Sequence, residues 1–161
     1  MKAYFQSMDT PVGAFTFAVN EQGAVVGTAF GGLDALKDRC EADAFIADAT
    51  RTAAAAKEIT RYLNGKSRHF GVAVAPKGTA FQQRVWQALL AIPYGETRTY
   101  GQIAEELQTG MRAVGGACGA NPVALLVPCH RVVGKRGHLT GFAFGIDTKQ
   151  RLLELEGAPL S

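Results

Sequence analysis

Asn121-Pro122-Val123-Ala124-Leu125-Leu126-Val127-Pro128-Cys129-His130-Arg131-Val132-Val133 is an apolar run that delivers one cysteine, with a histidine directly behind it. The aliphatic side chains from Val123 to Val127 require burial, while the two prolines exclude a regular helix and restrict the residues before them. Cys129 is therefore expected at a wall, half inside. A thiol attacks only as thiolate, and with a pKa near ~8.5 only a few per cent is ionised at neutral pH. His130 or a relayed base would raise that fraction; the plain alternative is a cysteine that merely fills space in a core. Adjacent residues of a strand face opposite ways, so His130 helps Cys129 directly only if the chain bends there, or else through water.

The rest of the composition narrows the setting. With 161 residues, 47% of them hydrophobic, the chain can bury a real core as one domain or as two small lobes. No apolar stretch reaches the ~20 residues of a membrane helix, and Met1-Lys2-Ala3-Tyr4-Phe5-Gln6-Ser7 lacks a signal-peptide core, so a cytoplasmic protein with no membrane partner is expected. Cys40, Cys118 and Cys129 make an odd count without a Cys-x-x-Cys pair, which argues against a disulfide scaffold and a zinc finger. A net charge of +3 is too small to establish nucleic-acid binding by itself. Its distribution says more: from Leu107 through Ile146 there is no Asp or Glu, while Arg112, Arg131, Lys135 and Arg136 are present, which makes one surface positive unless the gap in acids is chance.

Read from the start, Gly13–Val19 and Ala24–Phe30 form a hairpin around the turn chemistry of Asn20-Glu21-Gln22-Gly23. A short helix over Leu33–Arg39 and a longer one over Thr50–Leu63, ended by Asn64-Gly65, are followed by a strand at Phe70–Val74. Asp43, Asp48 and Glu58 read as solvated surface acids rather than metal ligands. Ala75-Pro76-Lys77-Gly78 is the linker, with Thr79 as N-cap of the next helix. There Phe81, Val85, Trp86, Leu89 and Leu90 recur at helical spacing, which places Trp86 in the core. Two short helices, Thr99–Leu107 and Arg112–Ala120, flank a glycine turn at Gly110 and make a helix-turn-helix. Gly115, Gly116 and Gly119 each cost the second helix roughly ~1 kcal/mol relative to alanine, so close approach of another backbone, protein or DNA, is expected. A capped helix over Asp147–Leu155, stopped by Gly157, completes the chain.

Pro128-Cys129-His130-Arg131, with Asn121-Pro122 and Arg112-Ala113-Val114-Gly115 before it, resembles the O6-alkylguanine-DNA alkyltransferases, in the same order from about Phe81 to Gly157 and more weakly before that. The resemblance implies an α+β protein with a sheet-and-helix lobe over residues 1–76 and a helical DNA-binding lobe over 77–161. It implies single-turnover transfer of an alkyl group, chiefly methyl, from guanine O6 to Cys129 after base flipping, with O4-alkylthymine as a further substrate to consider. His130 then matches the water-relayed base, Glu156 the residue that orients it, and Asn121 the asparagine that braces the turn into the active-site loop. Tyr100 and Lys149 match groups that assist guanine departure; Cys118, Phe142 and Ala143 match pocket positions within or near Gly137–Gly145. Arg112 matches the arginine that fills the base stack, and Ala113, Gly115 and Gly116 belong to the helix that enters the minor groove. Taken without the resemblance, Glu156 reads as a helix-end surface acid, Asn121 as a C-cap and Arg112 as an ordinary phosphate contact or a surface charge.

The implied partner is double-stranded DNA containing alkylated guanine, bound by a monomer that is open to cooperative assembly. No cofactor is implied. The Cys and His ligands with which some relatives hold a zinc are not found before Cys40, so none is expected here. Phe142 stands where relatives often have tyrosine, Ala143 where some have serine, and Cys118 where a larger apolar side chain occurs, which leaves alkyl-size preference open. Two rival functions are weighed. A noncatalytic lesion-binding relative would lack the thiol that Cys129 supplies, and a cysteine hydrolase would need an oxyanion hole that nothing in the sequence marks.

Overall fold

The computed structural model describes residues 1–159. They form an α+β fold with a four-stranded mixed sheet, a two-residue ladder and six α-helices. Two compact units result: Met1–Lys77 together with Pro122–Leu126, and Gly78–Asn121 together with the chain from Val127 onward. The division at Lys77 and Gly78 lies inside the expected linker. Pro122–Leu126 departs from the expected division at 76/77, because it groups with the first unit rather than with the C-terminal lobe.

In the first unit, β1 (Lys2–Thr10) pairs antiparallel with β2 (Gly13–Val19), and β2 pairs antiparallel with β3 (Val25–Ala29). The turn before β3 closes on Asn20 Oδ1, which accepts from the N–H groups of Gln22 and Ala24 at 3.0 Å each. After α1 (Leu33–Lys37), β4 (Ala44–Ala47) adds parallel to β1, and α2 (Ala53–Leu63) buries Ala55, Ile59, Tyr62 and Leu63 at helical spacing. The sequence reading missed β1. Its burial alternates only weakly, since Ala3 and Tyr4 are buried in succession and the alternation from Gln6 to Thr10 runs between half-buried and exposed positions rather than between apolar and polar ones. What fixes its register is polar as well as apolar: Ser7 and Thr16, opposite each other, share a hydroxyl hydrogen bond of 2.8 Å.

The strand expected over Phe70–Val74 does not form. The N–H groups of Gly71 and Val72 donate to Glu58 Oε1, Phe70 stacks on Tyr62 with centroids 4.4 Å apart, and only Val74 bridges to Val25. The acids of this region are therefore structural rather than idle. Asp43 pairs with the N-terminal amine, and Asp48 Oδ1 accepts from the N–H groups of Thr50 and Arg51. Pro122–Leu126 is fastened to β3 by one residue: Thr28 donates its N–H to the Pro122 carbonyl at 2.9 Å and its hydroxyl to the Ala124 carbonyl at 2.7 Å. Between these anchors and Val127, Leu125 is held at φ +79°, a conformation that costs a non-glycine residue ~1–3 kcal/mol.

The second unit is helical. α3 (Ala80–Leu90) starts with a capping box in which Thr79 and Gln82 satisfy each other's backbone N–H. β5 (Arg98–Thr99) leads into α4 (Tyr100–Leu107), where Thr99 and Gln102 repeat the device. Three residues join α4 to α5 (Met111–Gly119), and the left-handed one is Gln108 at φ +56°, not Gly110, which is the extended N-cap of α5. Trp86 is 1% exposed and donates its indole N–H to the Ala117 carbonyl at 2.9 Å, which locks α3 to α5. After the turn over Cys129–Arg131, β6 (Val132–Val133) runs parallel to β5. α6 (Ile146–Leu155) ends at Gly157 with φ +70° but has no side-chain cap at its start, where Gly145 takes the N-cap position. No helix among the described residues is long and apolar enough to cross a membrane.

Thr28→Val keeps the shape of a buried side chain but leaves the Ala124 carbonyl without its donor. The expected loss is about 1–3 kcal/mol of unfolding free energy, read by denaturant titration at unchanged m-value.

Candidate active site

Pro128, at φ −82° and ψ 66°, ends the apolar run, and Cys129–Arg131 wrap into one 3-10 turn closed by the Arg131 N–H on the Pro128 carbonyl at 3.0 Å. Successive residues of such a turn are set about 120° apart, so Cys129 and His130 are not forced to opposite faces as in a strand. Cys129 is 7% exposed, deeper than the half-buried position expected of it. Asn121, 1% exposed, donates its side-chain N–H to the Val127 carbonyl at 2.9 Å and ties the end of α5 to the approach to Cys129.

Behind the thiol lies a buried ionic cluster. His130 is 0% exposed, and its Nε2 lies 2.7 Å from Glu156 Oε2. Arg131 donates Nε to Glu156 Oε1 at 2.8 Å, one terminal nitrogen to Oε2 at 3.1 Å, and the other to the Ile92 carbonyl at 2.7 Å. Burial alone would raise the Glu156 carboxyl, but the hydrogen bonds of His130 and Arg131, together with the Arg131 charge, outweigh it and hold the group down at about 2. Burial, helped by the charges of Arg131 and Lys149, keeps His130 below its ordinary range against the pull of Glu156. His130 is thus neutral at physiological pH, and Arg131 is the countercharge of Glu156. An ionised carboxylate only accepts, so Nε2 is the donor, and the buried Nδ1, which has no hydrogen-bond partner among the described residues, carries the lone pair.

Tyr100, Cys118 and Lys149 gather electrostatically around Cys129. The Cys118 thiol is pushed up to about 12 by burial and by Cys129. The Tyr100 phenol is likewise pushed up to about 12, by burial first and then by the two cysteines, so it remains a hydrogen-bond donor. Lys149 is fully buried, and burial lowers its ammonium while Cys129 and Cys118 pull the other way. Its Nζ donates to the carbonyls of Val132 at 2.6 Å and Thr140 at 2.7 Å, with Gly141 at 3.5 Å, and stands 5.8 Å from the Tyr100 ring centroid. The ammonium hydrogens thus point at backbone and hold the Thr140-Gly141 segment in place. Phe142 is half-buried and packs edge-on against Phe144, with centroids 5.7 Å apart, while Ala143 is exposed.

On α5, Val114, Ala117 and Cys118 face inward, whereas Arg112, Ala113, Gly116 and Gly119 are exposed. A Cβ added at Gly115, Gly116 or Gly119 would meet no atom within 4 Å among the described residues. No close backbone among the described residues explains these glycines. The cluster brings Cys129, His130, Glu156, Asn121, Tyr100, Cys118 and Lys149 together, and leaves Arg112 on the outer face, roughly 9 Å along the helix axis from Cys118. Sequence reasoning counted Arg131 toward a positive surface, but it is 8% exposed and forked onto Glu156, since a charged residue in an apolar run must find a buried partner. No group of three or more His, Cys, Asp or Glu side chains able to hold a metal ion occurs among the described residues.

Fold and site define a protein with a buried cysteine followed directly in the chain by a buried, carboxylate-bound histidine. Residues 80–158 match the family described as 6-O-methylguanine DNA methyltransferase, DNA binding domain. A methylated-DNA–protein-cysteine methyltransferase of Methanosarcina acetivorans is 41% identical over 158 residues, covering 96% of this chain and 99% of the relative. The protein of the same name from Mycobacterium tuberculosis is 41% identical over 157 residues, or 95% of this chain and 92% of the relative. The crystal structure of Mycobacterium tuberculosis OGT in complex with DNA superposes with a TM-score of 0.85 at 40% identity, over 97% of this chain and 95% of that one. The chain belongs to the methylated-DNA–protein-cysteine methyltransferase family.

The Glu156 cluster sets the acid limit of stability. Glu156 is depressed from 4.5 to about 2, so its contribution is complete above 4.5 and is lost as the pH falls toward 2, on the order of 3 kcal/mol. His130, held neutral, adds a loss of the same sign as the unfolded chain takes up its proton below 6.5. Denaturant midpoints should fall monotonically from neutral pH downward, and Glu156→Gln should be less stable at neutral pH with a flatter profile between 4.5 and 2.

Proposed function

We propose that the protein repairs DNA by direct reversal, with Cys129 accepting one alkyl group, chiefly methyl, from O6 of guanine. The observation that carries this reading is the buried thiol beside a histidine whose Nε2 is committed to a buried carboxylate 2.7 Å away, in a chain of this family. In the step, Cys129 Sγ attacks the alkyl carbon, the C–S bond forms, and the C–O6 bond breaks with its electron pair left on guanine. The thiol proton passes through water to His130, which Glu156 orients, and guanine recovers a proton assisted by the Tyr100 hydroxyl. Lys149 serves by holding the Thr140-Gly141 wall. A thioether is not displaced by water, so each molecule reacts once. O4-alkylthymine, with the same kind of alkyl–oxygen bond, is the second substrate to test.

The partner is double-stranded DNA, held chiefly through its phosphates, with the glycine-rich face of α5 in the minor groove and α4 and α5 acting as the helix-turn-helix. A thiol buried in a protein wall reaches guanine O6 only after the nucleotide leaves the stack, and Arg112 fills the place it vacates; extrusion costs a few kcal/mol. Phe142, Ala143 and Cys118 line the pocket for the flipped base. The protein acts as a monomer in the cytoplasm, and neighbouring copies are free to assemble along DNA.

Intact mass after reaction with excess O6-methylguanine duplex, followed by peptide mapping, tests the reading. One methyl on Cys129 and no further turnover is the expected result, and repeated turnover or an unmodified thiol overturns it. Arg112→Ala should slow transfer from duplex DNA at least tenfold, about 1.4 kcal/mol, yet leave the reaction with free O6-benzylguanine base within twofold.

A further inference from the structure

Arg131 is the one charged member of the buried cluster that the proposed chemistry leaves without a task. Its guanidinium is clamped on three sides: a fork onto both oxygens of Glu156 at 2.8 and 3.1 Å, the Ile92 carbonyl at 2.7 Å, and the Tyr94 ring 5.7 Å away. Glu156 Oε2 is thereby shared between Arg131 and His130 Nε2. We propose that Arg131 is a positioning residue that sets the protonation state of His130, neutralising Glu156 so that the imidazole stays uncharged with its hydrogen on Nε2 and its lone pair on Nδ1. The inference rests on the alkyl-transfer reading for its use, but its structural content stands on the protein alone.

Charge counting carries the argument. With Arg131 in place, the guanidinium and the carboxylate cancel, and a proton added to His130 would leave a net positive charge in a site that is almost fully closed to water. Without Arg131, the Glu156 carboxylate would have His130 as its nearest partner and would draw a proton onto it, since an opposite charge in contact favours the charged form. Nδ1 would then carry a hydrogen and lose the lone pair that takes the thiol proton. The charged groups that face His130 are Glu156 and Lys149 from α6 and its end, and Arg131 from its own turn; burial is the largest influence, Arg131 and Lys149 act with it, and Glu156 opposes it. Lys149 survives in an Arg131 variant but points its hydrogens at carbonyls, so it cannot replace the fork on Glu156. A neutral imidazole is thus maintained by a cation one residue away from it.

The test is the pH dependence of single-turnover transfer from O6-methylguanine duplex by the unsubstituted protein, Arg131→Met and Arg131→Lys. In Arg131→Met the acid limb should move to higher pH by about 1 to 3, with a tenfold or greater loss at about pH 6 that is recovered in alkaline solution. Arg131→Lys, which keeps the charge, should hold the limb near its original place. An arginine that only braces the fold would lower the plateau and leave the limb where it was, and that result overturns the proposal. Should Arg131→Met fail to fold, nitrogen-15 NMR of the unsubstituted protein decides: His130 must be neutral with its hydrogen on Nε2 at neutral pH, and an imidazolium or the Nδ1–H tautomer overturns the assignment. Because that spectrum needs no DNA, failure of alkyl transfer itself would count against the functional reading and leave the role of Arg131 separately answered.

Discussion

A single buried negative charge, on Glu156, holds the catalytic half of the second unit together. Moving a carboxylate out of water costs several kcal/mol, so the chain must bring partners to it, and one turn supplies two of them. Arg131 and His130 come from the active-site turn, and the same guanidinium reaches on to the Ile92 carbonyl. Tyr94 donates its hydroxyl to the Leu155 carbonyl at 3.2 Å, and a Cβ on Gly95, which has φ +84°, would come within 3.1 Å of the Glu156 carbonyl oxygen, a tight contact. Segment 129–131 thus holds the carboxylate itself, while segment 92–95 is bound to Arg131 and to the backbone of residues 155–156. The position of the thiol follows from theirs, because Cys129 is the first residue of the turn that Glu156 anchors.

The two faces of α5 divide the remaining tasks. Its inner side places Cys118 in the cluster around Cys129 and gives Trp86 a carbonyl to bind, while its outer side, beyond Met111 and Arg112 in the first turn, exposes only alanine and glycine. Three glycines in nine residues are a poor helix by propensity, each less favourable than alanine by ~1 kcal/mol. The helix is kept by tertiary contacts on one side alone, and the other is left smooth.

Helices with strong punctuation were legible from sequence: Thr79 and Thr99, each with glutamine three residues on, begin α3 and α4, and the hairpin of β2 and β3 followed from its turn residues. β1 and β4 were not, because strands paired on both sides or only briefly show no period. Phe70–Val74 looked like a strand from composition, but Glu58 captured two of its backbone donors, a contact that propensity cannot express. At the site, the residues alone pointed to Cys129 and His130, whereas Glu156 read as a surface acid until the family resemblance gave it a partner. The role of Arg131 was hidden for a different reason: its meaning depends on a carboxylate 25 positions away.

Thr28 and Ala124, joined by a buried hydrogen bond, are 96 positions apart. The first unit is thus not a module that ends where its linker begins, since a strand near the start of the chain waits for a segment made only after α5. During synthesis, Thr28 keeps two polar groups uncommitted until residue 124 has left the ribosome, and a fragment cut at Lys77 would never satisfy them with this chain. The seam in the sequence and the seam in the folded chain lie in different places, and a gene divided at the first would cut across the second.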